Sequence, residues 1–187
     1  MSVYIAVEFD EKTMKKLALK QLIVKQNSSK GDFVQPETFH VTVLFCQGGN
    51  TGYSRNDYIK AIDEMGNRFK PKSFEVQLQN FNQFKNDDNG SVVWVGLKNT
   101  FPLYQIKKQL EETMQSLQVK IEKSQHSGYT PHITMGYNVV MNEDFEMNFE
   151  DDEPITIKSI CLWDSFKSRN GDKEAYIYNK VHELNFD

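Results

Sequence analysis

One arrangement occurs twice along the 187-residue chain and limits what it can fold into. A buried strand is followed by an amphipathic helix and then by a strand that carries His-x-Thr. The first copy opens with residues 3–9 (VYIAVEF), rich in β-branched and aromatic residues. Asp10 then caps a helix expected to run to about Gln26, with Met14, Leu17, Ala18 and Leu22 on its buried face. A polar loop over residues 27–32 leads to the strand of residues 39–45 (FHVTVLF). The second copy opens with residues 92–97 (VVWVGL). It continues through a helix with Pro102 in its first turn and Ile106, Leu110, Met114 and Leu117 on one face, and closes with a strand over residues 132–139. A further helix is expected over residues 56–69, and further strands over 74–84, 155–166 and 175–184. Hairpin turns fall at residues 86–90 and 168–172. The fold class is α+β: one domain over residues 1–187, made of two related lobes, with two antiparallel-rich sheets facing each other and helices outside.

Composition narrows the class of protein. Hydrophobic residues at 39% and charged residues at 26% fit a soluble globular chain. No apolar run approaches the ~18 residues of a membrane span, and MSVYIAVEFD has neither a basic leader nor a cleavage site. Cys46 and Cys161 form no CxxC and no zinc spacing. They read as buried apolar fillers in a reduced, cytoplasmic protein. A net charge of −4 argues against sequence-blind binding to long nucleic acid, which needs a broad basic surface. It leaves room for a small phosphorylated substrate held by a few local donors.

His40-Val41-Thr42 and His132-Ile133-Thr134 carry the chemistry. In a strand, residues i and i+2 share a face, so each motif sets an imidazole beside a hydroxyl. Val41 and Ile133 then point the other way, into a core, and Pro131 favours an extended entry to the second motif. Two histidines divide general acid and general base work when one is neutral and the other protonated, and an ordinary pKa of ~6.5 makes both states accessible. Two hydroxyls can donate to the non-bridging oxygens of a phosphate between them. The competing structural reading is two core histidines on separate sheets, each bonded to a local acceptor. No carboxylate stands at ligand spacing beside either histidine, and HExxH, G-x-S-x-G, Walker and G-x-G-x-x-G patterns are missing. No metal and no cofactor is therefore expected. His126 and His182 lack a companion threonine and read as surface or structural.

The opening strand VYIAVEF, the two motif strands FHVTVLF and PHITMGY, and the late LWDS stretch together resemble the 2H phosphoesterase superfamily over nearly the whole chain. That superfamily includes LigT-like RNA 2′,3′-cyclic phosphodiesterases, 2′,5′-oligoadenylate phosphodiesterases and phage anti-CBASS phosphodiesterases. The resemblance implies a bilobal, pseudo-two-fold LigT-like fold with both motifs in a central cleft. It implies His40 and His132 as the acid and base pair, and Thr42 and Thr134 as phosphate ligands. Many LigT-like members place an arginine shortly after the second motif, where Tyr137 stands here. That departure removes a basic phosphate contact and weakens assignment to the RNA-end subgroup. The serine of the LWDS pattern, Ser165, is the corresponding candidate at the cleft.

The leading expectation is a metal-independent phosphodiesterase acting on a small nucleotide or short oligonucleotide with a 2′,3′-cyclic phosphate, a 2′–5′ linkage or a cyclic backbone. The runner-up is a viral or phage type of enzyme that degrades 2′–5′ oligoadenylate or cyclic oligonucleotide defence signals. A third reading, of another class, is a non-catalytic RNA- or nucleotide-binding protein on the same fold. Tyr129 is a candidate for stacking on a base, and Lys167 for supplying positive charge at the rim. The chain is expected to act as a monomer, with no membrane and no obligate protein partner.

Overall fold

The computed structural model describes residues 2–46, 54–86, 90–121, 128–146, 148, 153–170 and 173–187. Among the described residues, nine strands and three helices follow in the order β1 (Ser2–Glu8), α1 (Glu11–Gln26), β2 (Ser28–Phe33), β3 (His40–Cys46), α2 (Arg55–Phe69), β4 (Phe74–Asn86), β5 (Gly90–Lys98), α3 (Phe101–Ser116), β6 (His132–Met141), β7 (Pro154–Ile157), β8 (Ser159–Asn170) and β9 (Lys173–Asn185). A 3-10 turn, Pro36–Thr38, precedes β3.

Among the described residues the strands run β7-β4-β5-β6-β3-β1-β8-β9, with β2 attached to β6. The two antiparallel halves are β7-β4-β5-β6 and β3-β1-β8-β9. They join where β3 meets β6, through one residue pair, Val41 opposite Ile133. Beyond that pair β6 changes partner: Gly136 to Met141 bond to β2. The expected pair of sheets is thus one sheet with a narrow seam. The hairpin tips at 87–89 and 171–172 lie outside the described residues, although the strands pair up to both, at Asn86–Gly90 and Asn170–Lys173.

Alternation separates two faces. Val3, Ile5 and Val7 join Val41, Val43, Ile133 and Met135 in the main core beneath the three helices. Tyr4 and Ala6 point the opposite way and pack with Cys161 and Trp163 on the helix-free face. Burial pushes both thiols up to about 12, which keeps Cys46 and Cys161 protonated. His182 plays a structural part, its Nε2 lying 2.7 Å from Asp63 Oδ1 across the contact of β9 with α2. Of the other histidine outside the motifs, His126, the position lies outside the described residues. No helix among the described residues is long and apolar enough to cross a membrane.

Several local expectations are corrected. In place of the loop expected over residues 27–32, Ser28–Phe33 is a strand, because backbone bonds to β6 need no apolar alternation. Residues 155–166 divide at Lys158 into β7, which pairs with β4, and β8, which pairs with β1. Leu117 lies past the end of α3 and is exposed. In α1 the buried residues are Thr13, Leu17, Gln21 and Val24, while Leu22 is exposed. Asp10 caps the helix as expected, accepting from the Thr13 N–H at 2.8 Å.

The displacement of Leu22 by Gln21 has a physical reason. The Gln21 side-chain amide donates to the Val34 carbonyl at 2.6 Å and to the Met135 carbonyl at 2.8 Å. The Val34 N–H also donates to the Met135 carbonyl, at 3.1 Å. One buried amide therefore ties the approach to β3 to the strand just after the second motif. Gln21→Leu keeps the volume and leaves the Val34 carbonyl short of a donor. It is expected to lower unfolding stability by about 1–3 kcal/mol, measured by urea denaturation. An unchanged midpoint would contradict this role.

Candidate active site

The antiparallel pair Val41–Ile133 sets His40 opposite Thr134 and Thr42 opposite His132, related by the local two-fold axis of the pairing. Val41 and Ile133 are fully buried on the helix side. The four motif side chains therefore stand together on the helix-free face, at the seam between the halves.

Both imidazoles are held alike. His40 Nδ1–H donates to the Thr38 carbonyl at 2.7 Å, and His132 Nδ1–H donates to the Thr130 carbonyl at 2.7 Å. Each bond fixes the ring and the tautomer, and leaves Nε2 with its lone pair when the ring is neutral. Each motif histidine therefore has a local backbone acceptor. Both carbonyls belong to threonines, so the repeated unit is longer than H-x-T: it is Thr38-x-His40-x-Thr42 and Thr130-x-His132-x-Thr134. That extension was visible in the sequence as a threonine two residues before each histidine.

Burial lowers the pKa of both histidines below the ordinary 6.5, and the carbonyl bonds offset this in part. His132 lowers His40 further, since two nearby imidazoles resist becoming cations together.

Aromatic rings frame the pair. Tyr4 stacks on His40 with centroids 4.9 Å apart and planes 25° apart. Trp94, opposite Thr134 in the ladder, lies 5.4 Å from His132, and Phe84 meets His132 nearly edge-on at 5.3 Å. Sequence reading placed Tyr4 and Trp94 in buried strands without a role, because a strand pattern does not tell which alternate face meets the motifs. Tyr137, where many LigT-like members have arginine, is half exposed; burial raises the Tyr4 phenol pKa, and the nearby Tyr178 and Tyr137 raise it further.

The remaining sequence candidates belong to neighbouring segments. Tyr129 packs against α3, with Tyr104 edge-on at 5.1 Å and the Lys107 ammonium over its ring. Ser165 sits on the helix-free face of β8, opposite Ser2, whereas Glu8 is the residue of β1 opposite His40. Tyr4, which stacks on His40, stands two residues from Ser2 on the same face of β1. The Lys167 side chain lies outside the described residues; its backbone pairs with Tyr176, further toward the hairpin tip. Glu8, Cys161 and Glu183 bring potential ligand atoms within 4.8 Å of one another. Lys180 already bonds both carboxylates, and neither motif histidine belongs to the group.

Two H-x-T strands joined at the centre of an antiparallel sheet define a 2H phosphoesterase arrangement. The chain belongs to the 2′-5′ RNA ligase superfamily, whose family profile matches residues 14–165. It is 24% identical over 137 residues to an RNA 2′,3′-cyclic phosphodiesterase of Archaeoglobus fulgidus, covering 73% of this chain and 72% of that protein. It is 25% identical over 134 residues to an RNA 2′,3′-cyclic phosphodiesterase of Methanothermobacter thermautotrophicus, covering 71% and 68%. Its fold matches that of E. coli LigT complexed with 3′-AMP, with a TM-score of 0.73 at 16% identity over 99% of this chain and 97% of that one.

Because the folded state disfavours the imidazolium forms, it binds fewer protons than the unfolded chain below pH 6.5. The stability from these two histidines is fully present above that pH and is lost as pH falls through the folded pKa values. NMR titration is expected to give both rings the Nδ1–H tautomer and midpoints below 6.5. Two midpoints at or above 6.5 would refute the burial argument.

Proposed function

We propose that this chain is a phosphodiesterase that cleaves a small nucleotide or short oligonucleotide by metal-independent acid–base chemistry at His40 and His132. The observation that carries this reading is the two-fold pairing of the imidazoles, each with Nδ1 committed to a backbone carbonyl and Nε2 left for proton transfer. The names of the archaeal relatives and the nucleotide complexes of LigT support the substrate class.

On a 2′,3′-cyclic phosphate, the neutral histidine takes a proton from water at Nε2 as the water oxygen bonds to phosphorus. The bond from phosphorus to one ribose oxygen breaks, and the protonated histidine delivers its Nε2 proton to that oxygen. The two histidines exchange protonation states and reset through solvent. On a 2′–5′ or 3′–5′ linkage, the base instead deprotonates the neighbouring ribose hydroxyl. That oxygen attacks phosphorus and leaves a cyclic phosphate end. Thr42 and Thr134 hydroxyls donate to the non-bridging oxygens, where negative charge accumulates.

A panel of 2′,3′-cyclic nucleotides, 2′–5′ oligoadenylate, cyclic dinucleotides and cyclic-phosphate-ended RNA, assayed in EDTA, tests this proposal. Turnover is expected to persist in EDTA. It should fall roughly 10²–10⁴-fold in His40→Ala and in His132→Ala, and roughly 10²-fold in Thr42→Ala or Thr134→Ala. The kcat/KM profile should be bell-shaped, with its optimum on the acid side of pH 6.5, since both histidines are lowered from that value. Loss of turnover in EDTA would reject the metal-free mechanism. Nucleotide binding without turnover of any substrate would mark a binding protein.

A further inference from the structure

Glu8 brings a carboxylate to the helix-free face beside the motifs. It stands directly opposite His40 in the β1–β3 ladder and continues the row of Tyr4 and Ala6. Residues so paired have Cβ atoms about 5 Å apart, within reach of a glutamate for a histidine. The bonds of Glu8 run the other way. Its carboxylate pairs with the Lys180 ammonium, which reaches over β8 from β9. The Cys161 thiol of β8 also hydrogen-bonds to Glu8. Lys180 is itself fixed from two further sides, by Glu183 at 3.3 Å and by the Trp163 ring, whose centroid lies 5.7 Å from Nζ. The titratable groups around His40 are thus Tyr4 and Glu8 of β1 and His132 of β6, with Tyr137 and Tyr178 near Tyr4. Those around Glu8 are His40 of β3, Cys161 of β8, and Lys180 and Glu183 of β9.

We propose that Lys180 is a positioning residue for the catalytic pair, which acts by holding the Glu8 carboxylate away from His40. This inference rests on the phosphodiesterase reading and adds a residue to it. His40 Nδ1 already donates to the Thr38 carbonyl. A carboxylate arriving at this ring would therefore take Nε2, the nitrogen that proton transfer needs, and would favour the imidazolium. With Glu8 held by Lys180, burial keeps His40 below the ordinary histidine value. Burial opposes the charge on Lys180, yet its bond to Glu8 and the surrounding anionic groups push its pKa above the usual value. The hold is therefore charged throughout the range in which the histidines titrate. The device belongs to one half of the sheet only. The residue opposite His132 is Gly96, which brings no side chain to that ring. The two-fold backbone arrangement of the pair thus carries an ionic group on the His40 side alone.

NMR titration of both motif histidines tests the proposal, in the wild type, Lys180→Met, Lys180→Arg, Glu8→Gln and the double variant Glu8→Gln/Lys180→Met. Salt at about 0.15 M screens distant charges, so that a carboxylate in contact with the ring dominates the shift. In Lys180→Met the His40 midpoint is expected to rise by about one pH unit or more, as for an opposite charge in contact. His132 should stay or fall, since a more readily protonated His40 repels its charge. Lys180→Arg and the double variant should both restore the wild-type midpoint, and Glu8→Gln alone should leave it in place. One limb of the kcat/KM profile of Lys180→Met should move to higher pH by the same amount. The midpoints are read without turnover, so failure of the catalytic reading and failure of this role give separate results. Lys180→Gln takes the place of the methionine variant if the latter does not fold. The proposal is overturned if His40 rises by less than about 0.3 unit in the Lys180 variant. It is also overturned if both histidines rise together, or if the rise persists in the double variant.

Discussion

The site depends on one backbone pairing, Val41 with Ile133. Both side chains are buried against the helices, which forces their neighbours at i−1 and i+1 onto the other face. An antiparallel pair has a local two-fold axis, so two short motifs far apart in the chain become one symmetric group of two imidazoles and two hydroxyls. The pairing is also as short as it can be. After it, β6 turns its edge to β2, and the Gln21 amide holds that arrangement from beneath. A longer β3–β6 ladder would make the seam into ordinary sheet.

Electrostatics at the seam follow from burial and backbone geometry more than from charged neighbours. Among the described residues, no ion pair includes His40 or His132. Each is oriented by a carbonyl two residues upstream, and each is pushed toward the neutral form by its surroundings. Acid–base work by such a pair needs one proton shared across the site, and the mutual repulsion of the two rings favours that singly protonated state over the doubly protonated one. The overall charge of −4 is compatible with phosphate chemistry of this kind, because hydroxyl and imidazole donors act at short range.

Aromatic residues supply what the polar groups lack. Tyr4 covers one face of His40, while Trp94 and Phe84 stand around His132. The surroundings of the two histidines are therefore unlike, even though their backbone environments match. An active site with equivalent chemistry on both sides can in this way distinguish the two ends of an asymmetric substrate.

Much of this architecture was legible in the residues. The buried strands, the helix cap at Asp10 and the two H-x-T motifs follow from local rules: side-chain alternation, helical periodicity and capping. Other features were illegible for definite reasons. A polar segment such as Ser28–Phe33 becomes a strand only because β6 has a free edge beside it. Gln21 takes a core position from Leu22 only because two carbonyls from distant segments meet there. Tyr129 is close to the second motif in sequence yet packs on α3, and Ser165 stands on β8, one strand beyond β1 from the first motif. The sequence by itself determined which side chains could perform proton transfer and which strands would carry them, since those properties are local. Only the tertiary structure decided that His40 and His132 share one seam, and which aromatic rings surround each of them. Strand order and register are set by long-range backbone pairing, which leaves no periodic trace in the chain.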